Sequence, residues 1–99
     1  MAILMLMDVP GGTAEQYDRT NEILGIQGDG DAPDGLISHA CAVTDDGVMI
    51  ADVWDSEEAL HRFFEGGLGG ALAEAGMPQA TPTVIPVHAM LRGKATVTA

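Results

Sequence analysis

Apolar and polar positions along this chain switch between two periods, and the switches mark its elements. Ala2 to Asp8 is a short, almost unbroken apolar run stopped by Pro10-Gly11-Gly12, which predicts a strand. Thr13, with Gln16 three residues on, has capping-box spacing and predicts a helix from Ala14 to about Leu24. Tyr17, Ile23 and Leu24 would form its buried face, and Gly25 would end it. Leu36 to Val43 and Val48 to Asp55 read as strands, joined by Thr44-Asp45-Asp46-Gly47; Asp-Gly between apolar runs is a hairpin signal. Ser56 caps a second helix, Glu57 and Glu58 suit its first turn, and Leu60, Phe63 and Phe64 form its apolar stripe. Gly66-Gly67 and Gly69-Gly70 weaken that helix, predicting a kink or a restart through Leu68 to Ala75, with Gly76 as its end. Val84 to Leu91 is the last predicted strand. Pro86 within it, lacking an N–H, argues for a sheet edge.

The order is strand-helix-strand-strand-helix-strand. That predicts an α+β, ferredoxin-like βαββαβ fold: a four-stranded antiparallel sheet with both helices on one face. Residues 1–91 form the expected single domain and residues 92–99 a C-terminal tail. The strands are apolar on both faces, but the helices suffice for one. A second copy of the chain, sheet against sheet, is the economical cover, so a homodimer is expected.

Alternation along the strands sorts the side chains. In a hairpin with either a two-residue or a four-residue loop, Ile37, His39 and Cys41 share a face with Ile50, Asp52 and Trp54. Leu36, Ser38, Ala40, Ala42, Met49, Ala51 and Val53 take the other. The small and aliphatic set suits packing beneath helices, which assigns the polar and aromatic set to the uncovered face. Ile3, Met5 and Met7 of the first strand join that set, as do Val84, Pro86, His88 and Met90 of the last. The result is an apolar concavity with one indole, two imidazoles, a carboxylate and a thiol, the usual make-up of a small-molecule site.

Composition narrows the partners. Arg19, Arg62, Arg92 and Lys94 face 15 acidic residues, for a net charge of -11. Such a surface repels phosphate backbones and anionic membranes, so neither nucleic acid nor membrane is an expected partner. The single Cys41 cannot form an internal disulfide, no apolar run reaches membrane-span length, and no signal-peptide pattern opens the chain; a cytoplasmic location is expected.

Several residues invite chemical roles. His39 beside Asp52 is a candidate general base, because a neighbouring carboxylate fixes an imidazole's tautomer; a satisfied buried pair or a dimer contact is the plainer reading. Trp54, at a strand-to-helix junction, lines a pocket or simply packs in the core. His88 on an edge strand either faces the cavity or solvent, and His61 on an acidic helix face reads as solvated. Cys41 lacks the partners of a nucleophilic triad. His39, His88 and Asp52 come from separate strands without metal-ligand spacing, so no metal is expected. Asp29-x-Asp31 matches half of a calcium loop, yet no third oxygen ligand or closing glutamate follows, and the Gln27 to Gly35 segment reads as a solvated loop.

The segment Asp52-Val53-Trp54-Asp55-Ser56-Glu57-Glu58-Ala59, set within this element order, resembles the dimeric α/β-barrel superfamily, which includes antibiotic-biosynthesis-type and haem-degrading monooxygenases. The resemblance spans Ile3 to Leu91. It implies a homodimer whose two sheets form a barrel, with Trp54 lining a pocket in each subunit. It also shows departures: Ile50 stands where the cofactor-independent quinone-forming members carry an asparagine, and Phe63 and Phe64 stand where haem-degrading members carry their iron-ligating histidine. The expectation is therefore a monooxygenase-like small homodimeric enzyme, a cofactor-independent oxygenase or an isomerase, acting on a hydrophobic or aromatic small molecule with no bound cofactor. His39 and Asp52 would be catalytic, and Trp54, His88, Cys41, Ile50, Met5, Met90 and Phe63 would contact substrate. The alternative is a non-catalytic small-molecule-binding or stress-related dimer of the same fold, in which His39 and Asp52 are sealed from the cavity.

Overall fold

A computed structural model describes residues 1–97; the last two positions of the expected tail lie outside the described residues. Four strands, β1 (Ile3–Pro10), β2 (Leu36–Val43), β3 (Gly47–Trp54) and β4 (Thr83–Pro86), form one antiparallel sheet in the order β2-β3-β1-β4. Helix α1 (Ala14–Leu24) follows β1. After β3 come α2 (Glu57–Phe63), a π-helical turn (Phe64–Leu68) and α3 (Gly69–Ala75). This is the expected α+β, ferredoxin-like arrangement.

Local chemistry sets the helix limits. The Thr13 hydroxyl accepts from the Gln16 N–H at 3.1 Å while the Gln16 side chain accepts from the Thr13 N–H at 3.0 Å, a complete capping box. Gly25 ends α1 in the left-handed conformation. The Ile26 N–H reaches the Asn21 carbonyl at 2.9 Å, closing a Schellman motif, and Met77 and Leu72 repeat it at 3.0 Å after α3. The predicted helix restart is present: five residues of π-helix, carrying Gly66 and Gly67, separate α2 from α3.

Strand β4 is shorter than expected. It stops at Pro86 rather than Leu91 because its only neighbour, β1, begins at Ile3, the residue paired with Pro86. One further bond, from the Val87 N–H to the Ala2 carbonyl at 3.0 Å, ends the ladder. With β1 exhausted, no strand among the described residues remains to pair with 88–91. Pro86 does lie on an edge strand, as its missing N–H requires.

The β2–β3 hairpin adopts the four-residue loop. His39 pairs with Asp52, Cys41 with Ile50 and Val43 with Val48. One irregularity lies between Leu36 and Ser38, where the ladder shifts by a residue. This β-bulge at Ile37 turns Leu36 to the Trp54 side, whereas unbroken alternation assigns Leu36 to the opposite face.

The two face sets are otherwise as expected, but their environments are exchanged. Ile3, Met5, Ile50 and Trp54 are buried against Ala59 and Leu60 of α2, with Tyr17 of α1 and Phe63 alongside. The face carrying His39, Asp52 and Trp54 therefore lies beneath the helices, and the small-residue face is bare. The physical reason is area. Trp54, Ile50 and the odd-numbered β1 side chains Ile3 and Met5 bury a large apolar surface against the helices, and the polar pair that comes with them satisfies its own hydrogen bonds. On the bare face Leu6, Met49 and Ile85 are each more than a third exposed.

Candidate active site

Between the sheet and the helices lies a cavity of about 710 Å³. Its floor is the β1–β3 face: Met5, Met7, Ile50, Asp52 and Trp54, with His39 from β2. Tyr17, Thr20, Asn21 and Leu24, at the i, i+3, i+4 and i+7 positions of one helix face, give one wall from α1. Leu60 and Phe63 of α2, Leu68 of the π-turn and Leu72 of α3 give the other. The Gln27 to Gly35 segment, expected to be a plain solvated loop, closes one end through Gln27, Gly28, Asp29, Ala32 and Pro33. Within it Asp31 accepts from the Gln27 N–H at 2.9 Å, so that carboxylate braces the loop.

At the centre is a hydrogen-bonded chain. The His39 Nδ1 lies 2.6 Å from Asp52 Oδ1, and the Trp54 indole N–H donates to Asp52 Oδ2 at 3.1 Å. Both carboxylate oxygens are thus engaged, which lets Asp52 sit at 5% exposure in a mostly apolar floor. At the other end of the imidazole, Nε2 lies 2.6 Å from the Tyr17 hydroxyl, and the two rings are nearly parallel at 9°. Burial pushes the Tyr17 phenol above its usual range, with Cys41, Asp52 and Asp18 adding to the shift and an Asn21 hydrogen bond opposing it. Among the described residues no buried side-chain nitrogen or oxygen lacks a partner.

The cavity brings together His39, Asp52, Trp54, Ile50, Met5 and Phe63 from the expected site set. It does not include Cys41, His88 or Met90. Cys41 shares the sheet face but sits further along β2, packed at the margin of the core; burial, then Asp18, pushes its thiol up. His88 and Met90 fall beyond the point where β4 runs out, and both are exposed. His61 is exposed, 3.6 Å from Glu57, in keeping with a solvated helix face. Tyr17 is the residue the sequence reading left out of the site. Its signal was its place on the buried face of α1, which read as packing because the cavity was assigned to the other side of the sheet. Trp54 and Phe63 rings meet at 5.7 Å between centroids, forming an aromatic corner. Among the described residues no three histidine, cysteine or acidic side chains cluster as a metal site, and no helix is long and apolar enough to cross a membrane.

No protein-family profile matches the chain, and no curated protein matches its sequence. Solved structures do. A candidate antibiotic biosynthesis monooxygenase from Deinococcus radiodurans superposes with a TM-score of 0.60 at 17% identity, over 96% of this chain and all of the other. SnoaB of Streptomyces nogalater, a cofactor-independent oxygenase, gives 0.54 at 19% identity over 93% and 96% of the two chains. The fold is that of the antibiotic biosynthesis monooxygenase structures. A monooxygenase from the ActVA-Orf6 gene of Streptomyces coelicolor, solved with nanaomycin D, gives 0.52 at 21% identity over 93% and 92%. Within this monooxygenase-type fold, the Tyr17–His39–Asp52–Trp54 chain is what the present sequence places at the cavity.

Proposed function

We propose that this chain is a monooxygenase-like homodimeric enzyme acting on a hydrophobic or aromatic small molecule without a bound cofactor. One observation carries the reading: the paired His39 and Asp52 open onto a cavity of about 710 Å³ beside Trp54. Asp52 accepts from Nδ1, which leaves the lone pair on the imidazole Nε2, against the Tyr17 hydroxyl that lines the cavity. The binding-dimer alternative requires a sealed base, whereas the His39 side chain is 31% exposed. The kinship of fold with a cofactor-independent oxygenase supports the same choice.

The chemistry needs no external reductant. Removing a proton from a phenol or an activated methylene leaves an electron-rich anion that gives electrons to oxygen. When a methylene becomes a carbonyl, one oxygen atom enters the product and the other leaves as water with the two methylene hydrogens. A positioned base typically supplies about 10²–10⁴-fold of such a rate. Trp54, Phe63, Ile50 and Met5 would enclose the ligand. The bare apolar sheet face would be covered by a second copy, residues 1–91 would act as one domain with 92–99 as tail, and the enzyme would work in the cytoplasm.

The test is oxygen uptake with neutral polycyclic phenols, selected by quenching of Trp54 fluorescence. His39→Ala should lower turnover about 10²–10⁴-fold with the dimer intact. A His39→Ala protein as active as wild type would overturn the acid–base reading in favour of a binding dimer.

A further inference from the structure

We infer that Tyr17 is the group that exchanges the proton with substrate, passing it to His39 rather than merely flanking it. The inference rests on the acid–base reading above and follows from counting donors and acceptors. Asp52 accepts through both oxygens, from His39 Nδ1 and from the Trp54 N–H. In the neutral imidazole Nδ1 therefore carries the hydrogen and Nε2 carries the lone pair. That lone pair is already taken, because the Tyr17 hydroxyl donates to it at 2.6 Å. The imidazole has no second free lone pair. The acceptor capacity left at the cavity end of the chain is on the phenol oxygen, which takes one hydrogen bond from Asn21 and keeps a second lone pair, and Tyr17 lines the cavity.

A substrate hydroxyl entering the cavity thus meets Tyr17 first. Its O–H bond breaks as a new O–H bond forms at the Tyr17 oxygen. The original Tyr17 proton moves to Nε2 of His39 in the same event. The products are a substrate anion and an imidazolium held against Asp52, and Tyr17 is unchanged. Burial, which keeps the phenol protonated at rest, suits a relay and not a standing tyrosinate. Asn21, one turn on from Tyr17 on the same face of α1, lines the cavity with it, whereas the Thr20 hydroxyl is committed to the Gln16 carbonyl at 2.8 Å.

The experiment uses a nitronaphthol, a flat neutral phenol whose anion absorbs visible light, at a pH where the free probe stays protonated. Wild type should ionise the bound probe. Tyr17→Phe, which removes one oxygen atom and no packing surface, should lower the ionised fraction about tenfold or more, as His39→Gln should. Imidazole NMR of Tyr17→Phe should still show the Nδ1–H set by Asp52. If Tyr17→Phe ionises the probe as wild type does while His39→Gln does not, the relay is wrong and the histidine base stands. If both variants ionise it, or wild type does not, the base reading falls with the relay. Loss of the Nδ1–H signal in Tyr17→Phe would mean that Tyr17 only positions the ring, which also overturns the relay.

Discussion

Trp54 and Asp52, two residues apart on one face of β3, are joined by a hydrogen bond of 3.1 Å from the indole N–H to the carboxylate. The most buried large side chain of the domain thereby anchors the acid that orients His39. Core packing and site geometry meet in a single bond.

Breaking that arrangement should be measurable as stability. Asp52→Asn keeps the shape but turns an amide NH₂ toward one of two N–H donors, the indole or the imidazole. Leaving a buried donor unpaired costs about 1–3 kcal/mol. Urea denaturation at fixed protein concentration should show that loss; an unchanged midpoint would mean the carboxylate is not holding both rings.

The bare sheet face predicts assembly. Leu6, Met49 and Ile85 are 37%, 40% and 45% exposed in the single chain. Sedimentation equilibrium at micromolar concentration should give about twice the chain mass, and Leu6→Asp or Met49→Asp should give monomer. A wild-type monomer would end the dimer proposal, while leaving the cavity, which lies on the other face, as described.

Haem should not bind tightly. Phe63 fills the aromatic corner against Trp54, and no histidine of α2 faces the cavity among the described residues. Haemin titration should give no saturable Soret shift at one equivalent per chain. A sharp shift abolished by His61→Ala would show the opposite.

Alkaline pH should weaken the fold through Tyr17. The folded state holds the phenol proton more tightly than the unfolded chain, in which Tyr17 loses it near 10.0. This stabilisation is fully present below that value and is lost as pH rises through the folded one. Cys41, raised from 9.0, acts with the same sign, so the comparison belongs in a Cys41→Ala background. There, stability should fall less steeply with pH in Tyr17→Phe than in its parent; equal slopes would contradict the burial of the phenol.

Gly35 joins the loop to β2 at φ +90°, and a Cβ there would stand 2.5 Å from Ala59 Cβ. Gly35→Ala should cost at least about 1–3 kcal/mol from the backbone alone. Because the Asp55 N–H donates to the Gly35 carbonyl at 2.8 Å, thermal unfolding and Trp54 emission should both respond. A variant with wild-type melting would contradict both the backbone cost and the close seat against α2.

Much of this was legible in the chain. Capping residues such as Thr13, Gln16 and Ser56 fixed the helix starts because their bonds are local. Alternation placed His39 with Asp52 and Trp54 because strand parity is also local. The choice of face was not local. It depended on summed apolar area across three elements, and the polarity of His39 and Asp52 pointed the wrong way. The bulge at Ile37 was equally hidden, since nothing in Leu36-Ile37-Ser38 signals a slipped pairing. The length of β4 depended on where a strand eighty residues earlier begins.

The cavity and the bare face divide β1 and β3 between them, odd positions of β1 to one and even positions to the other. Neighbouring codons therefore serve different tasks. Drift at Met5 or Ile50 can reshape the cavity while the bare face, carrying Leu6 and Met49, stays as it was. A lineage built on this sheet can change its cavity and keep its outer face, or the reverse, one substitution at a time.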